Sequence, residues 1–186
     1  MSGLYLEDFF VGQRFSAGGF RIDADDIKRF AAEFDPQPFH LDEEAAAESF
    51  FGGLAASGWH TAAITMRLMV EGALPIAGGI IGAGGEELKW LRPVRPGDVL
   101  SAQTEVIEVS PAPPGKKFGR LKVRVTTVNQ RNEAVQVSVG NILAPMRSRI
   151  LSPSRGEPGE DQSTDGTPGE PGSGPGGAQN ARHRRQ

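Results

Sequence analysis

Asp35 and His40 stand five positions apart in Asp35-Pro36-Gln37-Pro38-Phe39-His40, a pairing of carboxylate and imidazole that suits activation of water. An imidazole titrates near neutral pH and passes protons in both directions, while a neighbouring carboxylate orients it and stabilises its charged form. Each proline fixes its own φ and biases the residue before it, Asp35 or Gln37, toward extended backbone, so the two side chains are held in place. Taken one at a time, an Asp or a His in such a loop also serves as a helix cap or a surface residue. A second candidate is Ser57-Gly58-Trp59, at the head of an apolar helix. Unpaired N–H groups there, aided by the helix dipole, suit a developing oxyanion. Gly58 equally permits close helix packing, and Ser57 is a natural N-cap. His60, two residues into that helix, reads as a core or subunit-contact histidine rather than a reactive one.

The elements that must position these groups follow from periodicity. Residues 13–22 read as a strand interrupted at Gly18-Gly19, which suggests a turn or bulge. Asp23 caps a helix through Phe34 whose Ile27, Phe30, Ala31 and Phe34 share one face. The motif from Asp35 to His40 is expected as a loop. Asp42 then caps a short helix from Glu43 to about Ser49, ended by Phe50-Phe51-Gly52-Gly53. The segment 58–72 is apolar on nearly every side except Arg67 and Glu71, the composition of a buried central helix. Residues 79–94 carry apolar pairs and Trp90, residues 99–109 are rich in β-formers, and 119–130 and 134–143 alternate through Leu121, Val123, Val125 and Val135, Val137, Val139. Residues 130–133 read as a hairpin turn between the last two. Strands joined by short turns imply an antiparallel sheet with the apolar helix on its face, an α+β plan.

Composition bounds the function classes. The 186 residues allow one domain, at 1–150, followed from 151 to 186 by a Gly/Pro-rich tail with too little apolar surface to offset the entropy of ordering, roughly 1–2 kcal/mol per residue. That tail is expected to be disordered, its Arg182-His183-Arg184-Arg185 end a solvated terminus. A net charge of −3 and a pI near 5.7 give no general attraction to nucleic acid or anionic membrane. The absence of cysteine removes disulfides, thiol nucleophiles and cysteine-metal sites, and His40, His60 and His183 have no ligand-like spacing, so no metal site is expected. With neither a signal core nor a run of about twenty apolar residues, the chain reads as cytoplasmic.

Phe34 through His40, followed by Leu41-Asp42-Glu43-Glu44-Ala45, resembles the hydratase motif of the MaoC-like dehydratases and (R)-specific enoyl-CoA hydratases, usually written G-D-x-N-P-x-H-x-D. Two further blocks agree in order, Ser57-Gly58-Trp59-His60-Thr61 and Leu91-Arg92-Pro93-Val94-Arg95-Pro96-Gly97-Asp98. The chain departs from the pattern at Phe34, often Gly, at Gln37, usually Asn, and at Ser57, often His. The resemblance implies a hot-dog fold, in which an antiparallel sheet wraps a long central helix and two copies join their sheets in a homodimer. It implies reversible hydration of a trans-2-enoyl thioester, carried on coenzyme A or acyl-carrier protein, with an (R) product and no metal or redox cofactor. His40 would exchange the proton, Asp35 would orient water, the Gly58 region would stabilise the enolate oxygen, and Gln37, Ser57 and Trp59 would meet substrate. Lys89, Arg92 and Arg95, or Lys116 and Lys117, would meet the phosphates of the carrier, or else are ordinary solvated charges. Two rivals are a hot-dog thioesterase and a noncatalytic acyl-binding subunit.

Overall fold

The computed structural model describes residues 3–147. The tail from 151 to 186, with its expected disorder, lies outside the described residues. Five strands, β1 (Arg14–Arg21), β2 (Ile81–Trp90), β3 (Val99–Ser110), β4 (Phe118–Val128) and β5 (Ala134–Pro145), form one sheet in the order β1-β3-β4-β5-β2. Every neighbouring pair is antiparallel. Gly18-Gly19 is the expected irregularity: the β1–β3 register shifts between Gly18 and Phe20, and Gly19 has φ +100°, which glycine adopts without the Cβ penalty. The β4–β5 hairpin turns where the sequence places it, with Asn132 in the left-handed region and Asn129 N–H donating to Glu133 O at 3.0 Å.

Four α-helices are inserted between β1 and β2. Helix α1 (Ala24–Phe34) is capped by Asp23, whose side chain accepts from Asp26 N–H, and α3 (Glu43–Glu48) by Asp42, which accepts from Ala45 N–H. The expected loop between them contains one helical turn, α2 (Pro38–Leu41), because Pro38 occupies the first helical position, where its missing N–H costs nothing. Gln37 before it is extended, at φ −90° and ψ 141°. Phe34 departs from the expected apolar face: it is exposed and leans on Phe30.

Helix α4 (Gly58–Leu68) lies on the sheet and runs on through a π-helical turn, Met69–Ala73. Its Ile64 and Leu68 pack with Leu100, Ala102, Val106, Leu121 and Val123 in one core; truncating a buried leucine such as Leu68 costs about 2–5 kcal/mol. The expectation of burial on nearly every side is corrected. A single chain buries the stripe His60, Thr61, Ile64, Thr65 and Leu68, and leaves Trp59, Met66 and Val70 exposed. Strand β2 is equally bare: it pairs only with β5 among the described residues and exposes Ile81, Leu88 and Trp90. No described helix is long and apolar enough to cross a membrane.

Candidate active site

Asp35 follows α1 directly, its N–H bonded to Ala31 O at 2.9 Å, and α2 carries His40 back toward it. His40 is buried and Asp35 mostly so, and His40 Nε2 lies 3.5 Å from Asp35 Oδ2. That separation is too long for a good direct hydrogen bond. The other ring nitrogen settles the tautomer. His40 Nδ1 lies 2.7 Å from Ala55 O, and a carbonyl only accepts, so Nδ1 carries the proton and Nε2 presents a lone pair. Nε2 and Oδ2 are therefore two acceptors side by side, and a water molecule satisfies both by donating one proton to each.

The carboxylate is held at both oxygens. Gln37 Nε2 donates to Oδ1 at 2.7 Å, and Ser57 Oγ donates to Oδ2 at 2.6 Å. Burial pushes the Asp35 carboxyl upward, but the hydrogen bonds from Ser57 and Gln37, joined by His40 when its ring is protonated, outweigh it and hold the group below the usual carboxylate range. Ser57 also caps α4, accepting from Trp59 N–H at 3.2 Å. Its hydroxyl thus ties the carboxylate to the helix N-terminus. Trp59 N–H is engaged by that cap, whereas Gly58 N–H meets no acceptor among the described residues.

These groups line a cleft of about 500 Å³. Asp35, Gln37, His40, Gly58 and Trp59 face it, with Phe50, Phe51, Trp90 and Arg92 among the other walls. Ser57, fully buried, reaches it through Asp35. Gly58 has a direct packing reason as well: a Cβ there would sit 2.5–2.8 Å from the Trp90 ring. His60 is buried beneath, stacked on Phe30 at 4.4 Å and nearly parallel to it, with Nδ1 unpartnered among the described residues. Burial pushes its imidazole down; the Asp26 charge opposes this more weakly and the Arg29 charge adds to it.

Arg95 is no phosphate ligand. Its guanidinium donates to Gly53 O at 2.6 Å, to Leu54 O at 3.1 Å and to Phe51 O, and so clamps the loop that carries Ala55. Lys89 pairs with Glu87 at 2.9 Å. Lys116 and Lys117 lie in the β3–β4 loop, at the opposite end of the sheet from Trp90 and the cleft. Arg92 alone of these cations lines the cleft, anchored by a 2.9 Å bond to Ala134 O. Sequence reasoning missed three contributors: the Ala55 carbonyl, which carries no residue-type signal, and Trp90 with its partner Gln136, bonded at 3.0 Å. Among the described residues, no group of three or more His, Asp or Glu is placed to hold a metal ion.

The chain resembles known proteins over most of this region. The solved MaoC-like dehydratase from Rhodospirillum rubrum is 54% identical, with a TM-score of 0.75 over 78% of this chain and 99% of that one. The (R)-hydratase PhaJ1 from Pseudomonas aeruginosa is 29% identical, with a TM-score of 0.60 over 77% of this chain and 87% of that one. Among curated relatives, the uncharacterized protein YdeM of Bacillus subtilis strain 168 is 37% identical over 130 residues, 70% of this chain and 91% of its own. The five-stranded sheet with its central helix is the hot-dog fold of these neighbours. With the MaoC-like domain model matching residues 11–133, the chain belongs to the MaoC-like family, proteins of the hydratase and dehydratase kind.

Proposed function

We propose that this protein adds water reversibly across the double bond of a trans-2-enoyl thioester. The observation that carries the reading is the pair of acceptors, His40 Nε2 and Asp35 Oδ2, 3.5 Å apart in one cleft. Water donating to both keeps an oxygen lone pair free for the β-carbon. As the C–O bond forms, His40 Nε2 takes one proton, and the C=C electrons move onto the thioester oxygen as an enolate. Gly58 N–H, at the positive end of α4, stabilises that oxygen. The enolate then collapses, and His40 returns the proton to the α-carbon, so that H and OH of one water are both accounted for. Asp35 holds the water and supports the imidazolium. Gln37 and Ser57 fix Asp35, Trp59 walls the acyl group, and Arg92 faces the carrier's phosphate.

The thioester is carried on coenzyme A or acyl-carrier protein, and the working unit is a homodimer. The unpaired edge of β2 and the exposed Trp59 and Met66 of α4, with Val70 in the π-helical turn that follows, suit pairing with a second copy. The test is incubation with crotonyl-CoA, following loss of the conjugated double bond, release of free thiol and the handedness of the product. Enoyl loss without thiol and an (R)-3-hydroxyacyl product support the reading. Thiol release with the double bond retained makes the protein a thioesterase, and turnover only with a second, different chain makes it one half of a pair.

A further inference from the structure

Gln136 is only 2% exposed, and the proton transfers at Asp35 and His40 make no use of it. A buried amide is costly unless its polar atoms are bonded, and an aliphatic side chain would fill the same space without that demand. Its bonds all lead to one place. Gln136 Nε2 donates to Thr65 Oγ1 at 3.1 Å; Thr65 Oγ1 in turn donates to Thr61 O at 2.9 Å and lies 2.6 Å from Thr127 Oγ1. At the other end of the amide, Gln136 Oε1 accepts from Trp90 Nε1 at 3.0 Å. Buried polar groups from α4, β4 and β5 thus fix the orientation of one indole. That indole is further braced by the backbone of Gly58 and by Trp59, edge to face at 5.4 Å.

The indole lines one space and its glutamine partner lines another. The first is the cleft of the Asp35–His40 pair, about 500 Å³, which Trp90 and Thr61 line. The second is an apolar cavity of about 480 Å³ between α4, β2 and β5, lined by Ala62, Met66, Met69, Leu88 and Gln136. Thr61 and Ala62, consecutive in α4, and the cross-strand partners Trp90 and Gln136 each contribute one residue to either space, so the two spaces are neighbours across these pairs.

We propose that the Trp90–Gln136 pair is a chain-length gate: the tethered indole closes the catalytic cleft toward the apolar cavity and restricts the protein to thioesters with short acyl groups. The gate rests on the hydration reading for its substrate class, but binding tests it without turnover. Calorimetry would compare butyryl-CoA with octanoyl-CoA, both saturated and unreactive toward water, on the full-length protein, on Trp90→Ala and on Gln136→Met, which frees the indole without removing it. Wild type should bind butyryl-CoA more tightly. Trp90→Ala should shift the octanoyl-to-butyryl affinity ratio upward by about tenfold or more, the scale on which a pocket reads added methylenes, and Gln136→Met should shift it in the same direction by less. The gate is overturned if wild type binds octanoyl-CoA at least as tightly, or if the folded variants keep the wild-type ratio. Should Trp90→Ala fail to fold, Gln136→Met decides alone. A shifted ratio in a protein that hydrates no enoyl-CoA would uphold the gate and sink the hydration reading, whereas hydration of crotonyl-CoA with an unshifted ratio would do the reverse.

Discussion

Replacing Asp35 by Asn removes a charge while leaving nearly the same shape, so its effect separates chemistry from folding. In the wild type, Gln37 Nε2 and Ser57 Oγ both donate to the carboxylate. The asparagine can turn its carbonyl oxygen toward Ser57 and its amide toward Gln37, whose own amide flips to accept. Each group keeps a partner, and the stability change should stay below about 1 kcal/mol. The reaction is not so forgiving. Two unit charges at the 3.5 Å between His40 Nε2 and Asp35 Oδ2 interact by roughly 5 kcal/mol at an effective dielectric of about 20. Solvent reaching the cleft reduces that to about 3 kcal/mol, and the variant also loses one of the two acceptors for water. A fall in kcat of about a hundredfold is the minimum expected, within the range of about 10² to 10⁴ typical of acid–base groups. The assay is crotonyl-CoA hydration under saturating substrate, with thermal unfolding as the folding control. A folded Asp35→Asn protein within tenfold of wild type would refute the two-acceptor arrangement as the source of activity.

Gln37→Leu deletes one of the donors that lower the Asp35 pKa, so the acid limb of the kcat/KM profile should move to higher pH; an unmoved limb would show that the Gln37 contact has no electrostatic effect. Gly58→Ala forces a Cβ to within 2.5–2.8 Å of the Trp90 ring, and we expect a loss of about 1–3 kcal/mol in urea denaturation from overpacking, together with reduced turnover as the indole shifts. His60 is held neutral by burial, its pKa below the 6.5 of the free side chain. The unfolded chain therefore takes up the proton first, and this residue's contribution is full above about pH 6.5 and lost progressively as pH falls beneath it. His60→Phe should flatten the fall in Tm between about pH 6.5 and 5, and a slope equal to wild type would place the titration elsewhere. Arg95→Met removes the donors to the carbonyls of Phe51, Gly53 and Leu54, and denaturant titration should show a loss of about 2–4 kcal/mol; a loss under about 0.5 kcal/mol would mean that the clamp is not holding the loop.

What the sequence revealed was local, and what it concealed was relational. Caps at Asp23 and Asp42, the irregularity at Gly18-Gly19 and the turn at Asn132 depend on neighbours in the chain, and each is found in place. Helix α2 escaped because a single turn of four residues is too short for periodicity to register. The role of Arg95 depends on carbonyls more than forty positions away, which have no residue-type signature. The alternation Val135, Val137, Val139 assigns the residues between them to the wet face, yet Gln136 is buried because the hydroxyls of Thr65 and Thr127 and the indole of Trp90 gather around it. The apolar character of α4 was legible, but composition cannot tell whether the facing surface belongs to the same chain. In one chain, Trp59, Met66 and Val70 have no cover.

The Arg95 clamp and His40 form one mechanical chain. Arg95 fixes the carbonyls at 51, 53 and 54, and Val94 O accepts from Ala56 N–H at 2.9 Å, so Ala55 between them presents its carbonyl to His40 Nδ1 at 2.7 Å. Because a carbonyl has no proton to give, Nδ1 stays protonated whether the ring is neutral or charged, and every proton that His40 exchanges must pass through Nε2. Nε2 and Asp35 Oδ2 lie on the same side of the cleft. In the hydration proposed above, the water oxygen and the returning proton therefore reach the enoyl group from one side, and the addition is syn. The turn at residues 35–40, which carries the chemistry in the proposed hydration, is thus oriented by an arginine in the loop before β3, and this ties motif blocks far apart in sequence to one cleft on physical grounds.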